Sequence, residues 1–343
     1  MRQIWIPRAG APEVLELREA PDPTPGPGQV RVRVEAAGVN FADIMGRLGV
    51  YPDLPPMPVV PGYEFGGRVD AVGEGVDAGW IGKDVLGLCR FGGYSDVVCV
   101  RENQLTERPE GMSAEEGAAI PVNYLTAYQL VVVMGGLSAG ETVLVHSAGG
   151  GVGIAATQLA LHRGATVIGT ASRGKHDFLR GLGVSHCIDY RSEDFVERVK
   201  DITNGRGVEL VLDAVGGSSF KKSYRCLAPS GRLGMFGFSA AVAGKEKSLL
   251  SYLKGAAAMP WFDFNPVALM NGNKGVFGVN LGRMWGEPER VRGWLAALVE
   301  LYREGVVRPK VDSTFPFEDA AGAHHRIQDR LNVGKVLLVS RRG

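Results

Sequence analysis

Cysteine is scarce in this 343-residue chain: Cys89, Cys99, Cys187 and Cys226 lie far apart and never in CxxC spacing. That scatter argues against a disulfide framework and a cysteine-built metal cage, and reads as free thiols in a reducing cytoplasm. Excess charge of either sign is missing too, since 38 Lys and Arg stand against 37 Asp and Glu. Without a basic stripe or tract, nucleic acid is disfavoured as a partner. No run has the length and apolarity of a membrane span, and the opening Met1-Arg-Gln-Ile-Trp-Ile-Pro7 lacks the apolar stretch of a secretory signal. No integral membrane segment is therefore expected. Repeats and low-complexity tracts are absent as well. What is left is an ordinary globular composition, 45% hydrophobic and 22% charged, in a chain long enough for two cores.

Glycine, by contrast, is plentiful, and its most informative cluster is His146-Ser-Ala-Gly-Gly-Gly-Val-Gly153. It follows the apolar run Glu141-Thr-Val-Leu-Val145 and precedes the helix-like Ile154-Ala-Ala-Thr-Gln-Leu-Ala160. Strand, small-residue turn and helix is the order that sets a pyrophosphate on a helix N-terminus, where missing Cβ atoms let backbone N–H groups approach. Ala148, Gly150 and Gly153 hold the key positions, with Ala replacing the first glycine, and Gly149, Gly151 and Val152 complete the turn. Strand candidates at 143–147, 165–170, 186–189, 208–213, 231–237 and 275–280 continue the pattern, separated mostly by helical periods. Six is the number a doubly wound, parallel dinucleotide-binding (Rossmann) sheet requires.

Before residue 123 the pattern differs. Pro21-Asp-Pro-Thr-Pro-Gly-Pro-Gly28 is a turn before the alternating Gln29-Val-Arg-Val-Arg-Val34, and Gly66–Gly73 and Tyr94–Val100 read as further strands. This is an irregular, mainly antiparallel β domain. After about residue 287, Val291, Trp294, Leu295, Leu298, Val299 and Tyr302 form one helical stripe. Ala320, Ala323, Ile327 and Leu331 form another, and Lys335-Val-Leu-Leu-Val339 reads as a strand. These elements have no place in a six-stranded sheet. Residues 1–122 and 284–343 are therefore assigned to one domain and 123–283 to the cofactor domain, with the nicotinamide expected in the cleft between.

The second strand ends Val167-Ile-Gly-Thr-Ala-Ser172, followed by Arg173-Gly-Lys175. An NAD-preferring domain usually carries an acid there for the ribose hydroxyls. Its absence, with Ser172, Arg173 and Lys175 at hand to attract a 2′-phosphate, points to NADPH.

At this point the sequence resembles the medium-chain dehydrogenase/reductase superfamily, in its zinc-independent quinone oxidoreductase branch. The residues that carry the resemblance are Ala37-Gly-Val-Asn-Phe-Ala-Asp43, Gly49-Val-Tyr-Pro52, Pro61-Gly-Tyr-Glu-Phe-Gly-Gly67, Gly92-Gly-Tyr-Ser95, Leu125-Thr-Ala-Tyr128, the glycine turn and Asn332-Val-Gly-Lys-Val336. The segment 245–285, with Trp261 and Asn280-Leu-Gly282, is most similar to the vesicle amine transport protein group of that branch. The resemblance implies a GroES-like substrate domain beside the Rossmann domain. It implies 2′-phosphate contacts from Lys175 and Tyr190 beside Ser172, and an approach of Thr126 to the nicotinamide-side phosphate or ribose. It implies a nicotinamide pocket lined by Phe236, Gly237, Ser239, Phe277, Val279 and Asn332. In zinc-dependent relatives the metal is held at positions that correspond here to Asn40, Tyr63 and Val122, a donor set unsuited to zinc. His324 and His325 are neighbours on a helix and face different ways, and His146 is expected to pack or hydrogen-bond near the turn.

Without a metal to polarise an alcohol, the reaction implied is hydride delivery to an electrophilic small molecule, a quinone or α,β-unsaturated carbonyl. Asn40 and Tyr51 are the candidate hydrogen-bond and proton donors, and Asp43 is read as fixing its loop. An enoyl-thioester reductase with Tyr51 as proton donor is the nearest alternative, and a non-catalytic NADPH-binding interaction protein is another. In this branch the sixth strand pairs across a two-fold axis, so a homodimer through 275–280 is expected.

Overall fold

The computed structural model describes residues 1–239 and 264–340. Trp261 and the whole of the segment 245–285 before residue 264 therefore lie outside the described residues. The chain divides into two compact units, one made of Met1–Leu125 with the chain from Leu281 onward, the other of Thr126–Asn280.

The first unit is built on a seven-stranded sheet. Its path runs Val311–Pro316, Lys335–Val339, Gln29–Val39, Glu64–Val72, Asp84–Leu88 and Leu105–Glu107, with Val97–Arg101 also pairing on Gln29–Val39. Every pair is antiparallel except Val311–Pro316 with Lys335–Val339. Alternation along Gln29–Val39 sends Val30, Val32 and Val34 into a core with Val69, Val98 and Leu338. From Ala36 to Val39 both faces are covered, so the strand runs five residues past its alternating part. Two short helices went unread in the sequence, Phe41–Arg47 and Ala114–Ala119. The second opens with a capping box in which Ser113 and Glu116 satisfy each other's backbone N–H groups.

Two expectations for the C-terminal part change. The helix Ala320–Gln328 ends before Leu331, which is exposed and takes no part in the stripe. The strand Val311–Pro316 was not anticipated, because its alternation is masked by Asp312, Ser313 and Thr314. The helix Pro288–Arg303 buries Leu295, Leu298 and Val299 from its stripe.

The second unit holds an all-parallel six-stranded sheet in the order His186–Asp189, Thr166–Ala171, Thr142–Val145, Val208–Asp213, Leu227–Met235, Gly275–Gly278. Numbered along the chain this is 3-2-1-4-5-6, the doubly wound order, whose direction reverses between the first and fourth strands. Leu144, Ile168, Ile188, Val211 and Leu233 form its core. The fifth strand starts at Leu227, four residues before the sequence pattern. Pro229-Ser230-Gly231 looks like a turn but is absorbed as an irregularity, with Ser230 at φ 66° and a register shift against Val208–Leu210. Among the described residues no helix is long and apolar enough to cross a membrane.

Candidate functional site

The glycine turn closes on itself before the helix Gly151–His162 begins. Ser147 takes the left-handed conformation at φ 54°, and its carbonyl accepts the Gly150 N–H at 2.9 Å. Gly150 then serves as the helix N-cap with extended backbone, and Gly151 and Val152 form the first turn. The small residues are dictated by contact. A Cβ on Gly153 would lie 2.4 Å from the Ser147 carbonyl oxygen and 2.7 Å from Ala148 Cα. Ala148 is itself fully buried, its N–H bonded to the Thr170 carbonyl at 3.1 Å. A methyl on Gly149 would meet Lys175 Cδ at 2.9 Å, so the aliphatic stem of Lys175 lies across the turn.

Lys175 reaches that place because Ser172, Arg173 and Lys175 make one tight turn after the second strand, closed by the Lys175 N–H on the Ser172 carbonyl at 2.9 Å. The register Asp189↔Ala171 puts Tyr190 and Ser172 at the same carboxyl edge of adjacent strands. Tyr190 is 40% exposed, with the Arg191 guanidinium over its ring. A helix N-terminus, a turn stripped of Cβ atoms and the aliphatic stem of a lysine across it thus share one edge of the sheet. Such an edge can receive the pyrophosphate of a dinucleotide.

A buried polar network that the sequence did not disclose braces the same edge. Asp213 ends the fourth strand with its carboxylate fully buried; Oδ1 accepts from Val215 and Gly216 N–H, and Oδ2 from the hydroxyls of Ser219 and Ser223, both at 2.7 Å. His146 continues it, bonded to Ser223 at 3.0 Å and to Thr170 at 3.0 Å. Burial lowers the His146 pKa below the usual imidazole value, which favours the neutral ring. Of this network the sequence pointed only to His146, expected to pack or hydrogen-bond near the turn; Asp213, Ser219 and Ser223 carried no such signal.

The remaining predicted lining residues of this unit lie on or just past the ends of two neighbouring strands and on one helix. Phe236 N–H bonds the Asp213 carbonyl, and Ser239 N–H bonds that of Ala214. Gly237 sits so close to Ala214 that a Cβ would meet its carbonyl at 2.7 Å. Phe277 lays its ring over Gly234, Val279 is buried, and Thr126 is buried on the helix Pro121–Tyr128. Asn332 belongs to the first unit, where its amide donates to the Gly334 carbonyl at 2.8 Å.

In the first unit, Asn40 was expected to donate to an acceptor molecule, and the structure gives its amide other work. Nδ2 donates to Glu64 Oε1 at 2.8 Å, and Oδ1 accepts from Lys335 Nζ at 2.6 Å. Lys335 also bonds Glu64 Oε1, whose second oxygen takes the Val122 N–H at 2.6 Å. All four residues of this group are buried or nearly so. Two of the three positions that hold zinc in zinc-dependent relatives, Asn40 and Val122, are thereby occupied with satisfying Glu64. The third, Tyr63, carries a phenol held well above its usual pKa, first by burial and then by the Asp43 charge. Asp43 fixes its loop by accepting from Asn40 N–H at 2.8 Å and Gly62 N–H at 3.0 Å. Burial nonetheless raises its pKa to about 7. Among the described residues no cluster of three or more His, Cys, Asp or Glu could hold a metal ion.

Tyr51 is half-buried, and burial with the nearby Asp53 charge raises its pKa, so the phenol keeps its proton. The two adjacent histidines part company. His324 is buried between Arg47 Nε at 3.2 Å and the Tyr94 hydroxyl at 3.2 Å, while His325 bonds Glu13 at the surface. Arg47 is wholly buried, its hydrogen-bond partners among the described residues are the neutral His324, Gly10 carbonyl and Gln328, and burial lowers its pKa to about 10.

Comparison with known proteins adds the following. Residues 26–110 match the alcohol dehydrogenase GroES-like domain and residues 182–338 the zinc-binding dehydrogenase domain. The synaptic vesicle membrane protein VAT-1 homolog of Mus musculus is 44% identical over 329 residues, 95% of this chain and 80% of its own. The chain spans 63% of the length of the Danio rerio homolog. Among solved structures, an Escherichia coli quinone oxidoreductase complexed with NADPH is 31% identical with a TM-score of 0.86, covering 99% of this chain and 100% of that one. The CurK enoyl reductase is 27% identical with a TM-score of 0.84, covering 99% of each.

Proposed function

Because the chain belongs to the medium-chain dehydrogenase/reductase superfamily, in a branch without the zinc ligands, we propose that it is an NADPH-dependent reductase of quinones or α,β-unsaturated carbonyls. The observation that carries this reading is the stem of Lys175 lying across Gly149, after a second strand that ends without an acid. Its ammonium, with Ser172 and Tyr190, would hold the 2′-phosphate, and the N–H groups after Gly150 would hold the pyrophosphate. Bound NADPH supplies a hydride. The chain supplies binding, orientation and a hydroxyl in Tyr51, whose pKa burial raises, making it a hydrogen-bond donor rather than a stronger acid. Asn40 acts as a positioning residue, tying Glu64 and Lys335 to the loop before Tyr51. The similarity to an NADPH-bound quinone oxidoreductase supports the cofactor and the acceptor class.

An enoyl-thioester reductase is the second reading, favoured by the Tyr51 phenol and the likeness to CurK enoyl reductase. One experiment separates the two: NADPH and NADH oxidation with a naphthoquinone and with a crotonyl thioester, in the native protein, Lys175→Ala and Tyr51→Phe. We expect Lys175→Ala to lose about 10- to 100-fold in kcat/KM for NADPH, the worth of one charge-assisted hydrogen bond, and little for NADH. Equal use of the two cofactors by the native protein would refute the NADPH assignment. A thioester activity that collapses in Tyr51→Phe while quinone turnover persists would favour the second reading.

A further inference from the structure

Tyr63 and Phe91 belong to segments that meet almost backbone to backbone. Gly93 N–H bonds the Gly62 carbonyl at 3.2 Å, Gly92 N–H that of Val60 at 2.9 Å, and Cys89 N–H that of Tyr63 at 2.9 Å. A Cβ on Gly62 would meet the Tyr94 nitrogen at 2.7 Å, and one on Gly93 the Gly62 carbonyl carbon at 2.9 Å. This crossing brings the Tyr63 and Phe91 rings to 5.2 Å between centroids at 53°, and Tyr51 stands edge-on to Tyr63 at 6.2 Å and 66°. Tyr63 is the buried floor, and Tyr51 and Phe91 are half-exposed on either side of it in contact order.

Phe91 is the unexpected member. Its φ is 68°, a left-handed backbone that a bulky residue adopts only at a cost and that glycine or asparagine would adopt easily. Phe91 is only partly buried, so part of its surface stays open to a bound molecule. Backbone strain of this kind tends to be kept where a side chain must be aimed. The ring it aims extends an aromatic face begun by Tyr63.

We infer that Tyr63 and Phe91, with Tyr51, form a ring-recognition face that selects planar cyclic acceptors, quinones above all, over acyclic enones and enoyl thioesters. The inference rests on the reductase reading for its reaction but not for its binding. A quinone ring is electron-poor and offers a flat face to stack on electron-rich phenyl and phenol rings, which an open-chain enone lacks.

The test is Phe91→Asn, which keeps the left-handed backbone while removing the ring, so folding is preserved. Tyr63→Leu is the companion variant. Calorimetric binding of a naphthoquinone whose ring carbons are blocked by methyl groups, to the cofactor-free protein, should weaken about tenfold in Phe91→Asn, equivalent to about 1.4 kcal/mol. The ratio of kcat/KM for that quinone over a linear enone should fall by about the same factor in both variants. Unchanged binding and an unchanged ratio would overturn the ring face and leave the reductase reading intact. Weakened binding with no turnover of any acceptor would support the face and sink the reductase reading.

Discussion

Lys335 and Glu64 place opposite charges where water cannot reach them, and each is tolerable only because of the other. Breaking such a pair by removing one member leaves a buried charge without compensation, typically at a cost of about 3–5 kcal/mol. Lys335→Met strands the Glu64 carboxylate between the amide of Asn40 and the N–H of Val122, which cannot neutralise it. Glu64→Gln strands the ammonium. We expect each single variant to lose about 3 kcal/mol or more in urea denaturation, and the double variant to lose clearly less than the sum. Strict additivity would mean that the two groups do not depend on one another. This cluster was illegible beforehand for a plain reason. Asn40, Glu64 and Lys335 are separated by up to 295 positions, and no local pattern announces a pairing made by the sheet. Ser172 and Lys175 were legible because they follow the glycine turn in an order of strand, turn and helix that the chain itself spells out.

At the scale of elements, the parallel sheet was readable wherever an apolar strand was bounded by glycine or polar residues, as at Val208–Asp213. It failed where a strand carries a turn-like sequence, as at Pro229-Ser230-Gly231, because the pairing of Leu227 with Val208 and of Arg232 with Leu210 brackets that stretch and holds it in the strand as an irregularity. The glycine turn is the element most sensitive to a single atom. Gly153→Ala would drive a methyl into the Ser147 carbonyl and Ala148 Cα, neither of which is a flexible side chain able to step aside. The helix must then lift from the turn, and its N-terminal N–H groups move with it. NADPH dissociation constants measured by fluorescence should rise at least about tenfold, while thermal unfolding moves by only a few degrees. An affinity that stays unchanged would show that the turn does not hold the phosphates.

For the whole molecule, the outer strand Gly275–Gly278 pairs among the described residues with Leu227–Met235 on one side only. It is half-buried and apolar at Val276 and Phe277, a combination that invites pairing with another strand. We propose that a second copy supplies it across a two-fold axis, so that light scattering at micromolar concentration should give twice the chain mass of 36.6 kDa. A mass of one chain would exclude the pairing.

The strand Lys335–Val339 lies inside its sheet, between Val311–Pro316 and Gln29–Val39, although it comes near the finish of the chain. During synthesis this has a temporal meaning. Thr126–Asn280 is continuous and can close its sheet as soon as it clears the ribosome. The half that carries Tyr51 must wait from the emergence of Leu125 until Lys335 arrives, roughly 10 to 40 seconds at ordinary translation rates. Throughout that interval Glu64 lacks the Lys335 ammonium and Ala36–Val39 have a bare edge, so this unit is exposed to mispairing until the late strand arrives.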